Sequence, residues 1–265
     1  MKKFHFIFIL IIIFSNTFSF AQTTTDANGK KQGYWKKVDP TSKKIIYEGL
    51  FKDDKPQGLF KYYYPNDSIK AKMLFSQNGK VGYSTLFHPT GKKMAYGKYI
   101  NEIKDSVWTY FDENGILISK ETFVDGKKNG VVYTYFSDGV VSDEHTYKLD
   151  IKNGPFKQYF DKKHIKGEGT YVNGQLDGKN TYYFPNGIAV ATGFYKNGSR
   201  NGPWIYKDKD GKIKEKELFI SGRLATKKET DDFFNKTKTT EEKPKPTETK
   251  PTTAKPKTTN PKSTK

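Results

Sequence analysis

The chain has no cysteine, and only two of its 47 basic residues are arginines, Arg200 and Arg223. It therefore closes no disulfide, holds no thiolate-bound metal and carries no lipid-modified N-terminal cysteine, so packing alone must stabilise it. The arginine shortage also disfavours sequence-specific nucleic-acid recognition, which leans on bidentate arginine. Histidine is scarce as well. Beyond the N-terminal stretch only His88, His145 and His164 remain, in different sequence contexts and without a metal-ligand or acid–base spacing. There is no Gly-x-Ser-x-Gly nucleophile signature and no glycine loop joining a strand to a helix. Asp208 and Asp210 before Gly211 suit a hairpin turn better than a calcium loop, which needs further acidic ligands. No catalytic residue, cofactor site or metal site is assigned on this evidence, and the chain is not expected to be an enzyme.

Aliphatic residues are thin too. Hydrophobic residues make up 34% of the chain and aromatic ones 15%, so Phe and Tyr supply much of the surface that folding can bury. That balance suits an elongated sheet rather than a central aliphatic core. The one long apolar run is residues 4–14, preceded by Lys2 and Lys3 and followed by Ser19, Phe20 and Ala21. Eleven residues are too few for the roughly 20 that a membrane-spanning helix requires. Residues 1–21 thus have the form of a secretory signal peptide cut before Gln22, which predicts an exported protein in the periplasm, on the cell surface or secreted, with no membrane span left after cleavage. The formal charge is +18, or +16 without Lys2 and Lys3, which favours acidic partners or anionic envelope polymers and lipids.

What is present is periodic. Glycines at 33, 58, 82, 130, 154, 178 and 202, with Ser106 in the one missing place, are spaced by 24 residues except for a first interval of 25. An aromatic column, Phe51, Phe75, Tyr99, Phe123, Tyr147, Tyr171, Tyr195 and Phe219, keeps the same period through all eight units. Chance yields eight such hits with a probability on the order of 10⁻⁷, so the period is real. Two sets of Asn-Gly or Asp-Gly pairs alternate along it, for example Asn114-Gly115 and Asn173-Gly174. Such pairs favour the positive φ angles of tight hairpin turns, which predicts two strands per unit and about 16 strands in all. Five or six residues per strand would remain after the turns.

Two further columns follow each glycine. Trp35, Phe60, Trp108, Phe156 and Trp204 lie two places on, with Val132 smaller and Ser84 and Asn180 as breaks. Tyr63, Phe87, Phe111, Tyr135, Tyr159 and Tyr183 lie five places on. An odd offset between the columns conflicts with simple alternation, and either a β-bulge in each unit or aromatics on both faces would resolve it. Trp35, Trp108, Trp204, Tyr63, Tyr135, Tyr159 and Tyr183 are the candidate binding or packing aromatics, while Phe51 through Phe219 form the structural ladder. The further glycines Gly49, Gly97, Gly169 and Gly193 are expected to let a cross-strand ring lie on bare backbone.

The units from Gly169 through Gly178 and from Gly193 through Trp204, with their Tyr, Asn-Gly and Trp positions, resemble the MORN motif in its bacterial variant form. The resemblance covers about residues 28–226. It implies an all-β, elongated, open antiparallel meander of about eight 24-residue hairpins in a single twisted sheet, used for protein or membrane-surface contacts without chemistry of its own. Bacterial relatives often carry a YwqK-family antitoxin label, which implies neutralisation of a partner toxin as one alternative, and a carbohydrate-binding module along the aromatic face is another.

Domain organisation then runs as signal peptide 1–21, a short lead 22–27, the repeat array 28–226 and a tail 227–265. The tail is rich in Lys, Thr and Pro. It is expected to be disordered because it cannot offset the entropy of ordering, apart from a short helix or cap near residues 231–236. Oligomeric state is not encoded in any of these patterns.

Overall fold

The computed structural model describes residues 24–241, with side chains for 24–236. The expected signal segment and residues 242–265 lie outside the described residues. Within them every strand pairs antiparallel with its neighbour in sequence, in one meander that runs from Thr24–Thr25 to Arg223–Leu224. These two short terminal strands have no pairing with each other, so the sheet is open. Between them lie sixteen long strands, counting Gln175–Leu176 with Gly178–Tyr183 and Ser199–Arg200 with Gly202–Lys207 as two interrupted ones.

The strands are longer than the sequence predicts. Ile45–Lys52 and Lys55–Tyr63, for instance, have eight and nine residues. The reason is that the turns are shorter. Asp53-Asp54, Asn101-Glu102, Asp125-Gly126, Leu149-Asp150, Asn173-Gly174 and Asn197-Gly198 close hairpins with both residues at positive φ, the conformation of a two-residue turn that matches strand twist. Most of the alternate connections take five residues and place one left-handed residue fourth, as at Gly91, Gly115 and Gly187, where the glycine N–H donates back to the first residue of the loop; the first, 39–44, takes six, and 160–164 has no residue at positive φ.

Both devices anticipated for the odd column offset occur. The register shifts once in each unit beside the five-residue connection, between Tyr62 and Tyr63, Tyr110 and Phe111, and Tyr182 and Tyr183, for example. The aromatics also occupy both faces. Phe60 and Tyr62 share one face, with ring centroids 6.4 Å apart, while Tyr63 turns to the other and donates its hydroxyl hydrogen to Glu48.

Each member of the aromatic ladder pairs across the sheet with the periodic glycine or serine of the strand before it, from Gly33 with Phe51 and Ser106 with Phe123 to Gly202 with Phe219. These positions have positive φ in every unit but one. The exception is Gly82, whose strand Val81–Phe87 pairs with Ile69–Ser76 in unbroken register.

One part of the expected tail is ordered. Lys227–Glu241 forms a helix, which contains the short helix or cap expected near residues 231–236 and extends it on both sides. Its start is built locally: the Thr226 side chain accepts from the Glu229 N–H, and Glu229 accepts from the Thr226 N–H, a reciprocal capping box. Arg223 pairs with the same Glu229 at 3.0 Å. Tertiary packing adds to the cap, since Lys216 lies 5.0 Å from the Phe234 ring and Leu218, on the same sheet face, is only 7% exposed.

Candidate functional site

The ring face is organised by a single row that crosses the sheet strand by strand. Cross-strand pairing, with side-chain-on-glycine contact at Gly49–Phe60, Gly97–Trp108, Gly169–Asn180 and Gly193–Trp204, aligns Trp35, Gly49, Phe60, Met73, Ser84, Gly97, Trp108, Glu121, Val132, His145, Phe156, Gly169, Asn180, Gly193, Trp204 and Glu217. Large and small residues complement each other along it. A Cβ added to Gly49 would fall 2.4 Å from the Phe60 ring, one at Gly97 2.3 Å from Trp108, and one at Gly193 2.2 Å from Trp204. These glycines are the floor on which the rings lie. Trp108 and Trp204 are 0% exposed, and their indole N–H groups donate to the backbone carbonyls of Lys98 and Phe194. Trp35, at the start of the array, is half-buried and donates to Gln32.

The ladder rings alternate with these row rings. Phe60 stands edge-on between Phe51 and Phe75, at 5.1 and 5.2 Å, and Trp108 and Tyr99 meet at 4.8 Å. Tyr195, Trp204 and Phe219 form the last run. The column of row rings is interrupted at Ser84, Val132 and Asn180. Val132 fills its break with a buried aliphatic side chain, and Asn180 fills its own at 0% exposure against Gly169. Ser84 does not. A hollow of about 310 Å³ opens there, bounded by Phe75, Tyr99, Met73 and Tyr62.

A cation row overlies the ladder. Lys31, Lys104, Lys128, Lys152 and Arg200 sit 4.8–5.7 Å from the rings of Phe51, Phe123, Tyr147, Tyr171 and Phe219 respectively. The 24-residue period carries these cations too, and applying it to charged residues rather than to aromatics and glycines alone finds them in the sequence. Burial holds the Lys104 ammonium below its ordinary pKa, with Glu121 opposing. His145 stacks on Phe156 at 5.6 Å, and burial, then Lys152, lower its pKa against the pull of Asp143.

The second face carries the other candidates. Tyr63, Tyr159 and Tyr183 donate their hydroxyl hydrogens to Glu48, Glu144 and Glu168 at 2.7, 2.8 and 2.7 Å. Burial and these bonds push all three hydroxyls up to about 12. Tyr135 instead lies 5.9 Å from the Lys120 ammonium. The structure thus divides the sequence-derived candidates between the faces: Trp35, Trp108 and Trp204 with the ladder on one, and Tyr63, Tyr135, Tyr159 and Tyr183 on the other. On the second face an open hollow of about 890 Å³ is lined by Leu59, Leu74, Tyr83, Tyr96 and Val107, with Lys72 and Lys98 beside them. Among the described residues no group of three or more His, Asp and Glu side chains is placed to hold a metal, and no helix is long and apolar enough to cross a membrane.

Three segments of the chain, 56–78, 104–125 and 152–173, match the family described as MORN repeat variant. These three repeats match as MORN variants. Each matched segment begins at or just after the start of the strand bearing a periodic glycine or serine and ends at the next two-residue turn or its equivalent, so the MORN unit coincides with one hairpin of the meander. No curated protein matches the chain. Among solved structures, two of TarM, one of them a variant of the S. aureus protein in complex with Fondaparinux, alpha-GlcNAc-glycerol and UDP, share 11% identity at a TM-score of 0.27. They cover 34% and 36% of this chain, which spans only 18% and 20% of theirs, and a likeness of that size has no bearing on fold or function.

Proposed function

We propose that the array is an exported, non-catalytic MORN-variant scaffold that docks a protein partner on its second face, between Leu59 and Val107. The observation that carries this is a contrast within one row of equivalent positions. Leu218 is 7% exposed at the end where the chain's own helix lies, whereas Leu50 and Leu74 are 46% and 52% exposed. Leu59, Tyr83 and Val107, on the same face, are each at least half exposed. Contiguous apolar surface of this kind, rimmed by polar groups, marks an interaction site. The chain's own cover at the far end is a helix, and Lys72 and Lys98 beside the open stretch favour a partner segment that sets acidic groups next to its apolar ones. Export is supported by the form of residues 1–21. A carbohydrate-stacking role is disfavoured, because Trp108 and Trp204 offer no exposed ring face to a sugar. An antitoxin would be one instance of the protein-partner reading.

The test uses a photo-crosslinking residue at Leu74 or Tyr83 in the full mature chain, with the same residue at Tyr147 on the ring face as control. A discrete adduct in the native envelope from the first two positions, lost on Leu59→Lys, supports the proposal. No adduct, or the same adducts from Tyr147, contradicts it. A second reading, contact with an anionic envelope polymer or lipid surface, is favoured by the cation row. It requires binding to anionic vesicles that weakens steeply with salt and with Lys104→Gln plus Lys128→Gln.

A further inference from the structure

We propose that the hollow at Ser84 is a binding pocket for one planar aromatic ring bearing a polar N–H or O–H group. It lies on the ring face and is independent of the docking surface proposed above. The sibling units show what belongs there. In unit 2 the row ring Phe60 sits edge-on between the ladder rings Phe51 and Phe75. In unit 3 the equivalent flanking rings, Phe75 and Tyr99, both border the hollow, and position 84 supplies no ring to fill the place between them. Met73 stands where the units carrying Phe60, Trp108 and Trp204 have the supporting glycine, and its flexible thioether closes the gap only in part.

A second observation points to a ligand. Ser84 is 3% exposed, lines the hollow, and its Oγ is buried without a hydrogen-bond partner. A buried hydroxyl left unsatisfied costs about 1–3 kcal/mol, so a ligand that supplies the missing partner recovers it. The rim carries one charge of each sign, Lys80 and Glu102, which favours a neutral ligand. At about 310 Å³ the hollow is at the small end of ligand sites, which run from roughly 300 to 1,000 Å³, as befits a single ring system. The backbone is adapted as well: Gly82 alone among the periodic positions lacks positive φ, and the connection before it, with Gln77, Asn78 and Gly79 all at positive φ, is longer than its two-residue counterparts.

Indole is the probe. Titrated into the mature chain labelled with ¹³C-methyl methionine, it is expected to shift the Met73 methyl resonance saturably and leave Met94 unmoved, with cyclohexanol as a non-aromatic control. Ser84→Ala should weaken indole about fivefold, the equivalent of one hydrogen bond, and leave toluene unaffected. The double variant Met73→Gly with Ser84→Trp rebuilds the pairing of the sibling units, so it should fold and show no saturation transfer to indole. A tripeptide with a central Trp distinguishes the sources. Binding about tenfold or more tighter than indole assigns the ring to a partner chain, and equal affinity assigns it to a free small molecule. Absence of a saturable Met73 shift, an equal response to cyclohexanol, or undiminished indole binding by the double variant overturns the proposal.

Discussion

Ser106 adopts φ 61° at a position where six other units place a glycine with positive φ. An L-residue in that region costs about 1–2 kcal/mol, so Ser106→Gly is expected to stabilise the protein by about 0.5–1 kcal/mol in urea unfolding, after the added flexibility of the unfolded chain is subtracted. Gly178→Ala is the converse. At φ 86° with no atom near the new Cβ, it should cost about 1–2 kcal/mol through the backbone alone. Gly97→Ala keeps ordinary φ but drives a Cβ to 2.3 Å from the Trp108 ring, and overpacking there should cost at least about 1–3 kcal/mol. Side-chain charge gives a further residue-scale expectation. Tyr63 has its pKa raised from 10.0 to about 12 by burial and by Glu48, so its contribution is whole below pH 10 and lost as pH rises towards 12. Glu48 is lowered from 4.5, chiefly by the Tyr63 hydroxyl, so its contribution is present above that value and lost as pH falls through the folded pKa. The melting difference between wild type and Glu48→Gln should therefore be widest between about pH 5 and 10 and shrink on either side. A difference that does not vary with pH would mean that the pair contributes nothing through ionisation.

At the scale of the element, the hairpin is the unit that the sequence specifies most plainly. Asn-Gly and Asp-Gly pairs and the eight-membered aromatic column identify turns and ladder because each acts locally, through positive φ or through one ring per period. Strand length was less legible: turns such as Asp53-Asp54 and Leu149-Asp150 close in two residues without glycine, which composition does not announce. The sequence leaves the division of Trp35 and Tyr63 between faces open for a similar reason, since one bulged residue reverses the alternation downstream. The helix Lys227–Glu241 is longer than the short helix or cap expected near residues 231–236, because Phe234 packs against Lys216 and Glu229 caps its start, in a segment whose overall composition resembles a solvated tail. Removing residues 227–265 should expose Leu218 and speed amide exchange across Ile213–Ile220 while leaving Ile45–Lys52 unchanged. If exchange is unaltered in the last strand, the helix is not its cover. Trp108→Ala should cost about 3–5 kcal/mol by emptying a buried ring site, whereas Trp35→Ala, half-buried at the array's end, should cost less.

For the whole molecule, long-range order is a chain of nearest-neighbour contacts: each strand pairs only with those beside it in sequence, and the row rings Phe60, Trp108 and Trp204 pack on the glycine of the strand before. Stability in such an array is close to a sum of units and interfaces. The candidate sites follow from departures from that regularity, at Ser84 on one face and along the uncovered apolar stretch from Leu59 to Val107 on the other. The sequence marks Ser84 as a break in a column, but the hollow beside it depends on Met73, Phe75 and Tyr99 meeting across three strands, which no local pattern conveys.

Excision of one complete period tests the central claim most directly. Deleting residues 175–198 joins the Asn173-Gly174 turn to Ser199 and sets Trp204 over Gly169, restoring a ring-on-glycine pair. The shortened chain is expected to fold cooperatively with the Trp204 indole N–H still slow to exchange, whereas deleting only residues 187–198, which removes Gly193 and the Phe194 carbonyl, should leave that proton freely exchanging. Equal protection in both deletions, or loss of protection in the 24-residue one, would contradict an array built from interchangeable two-strand units.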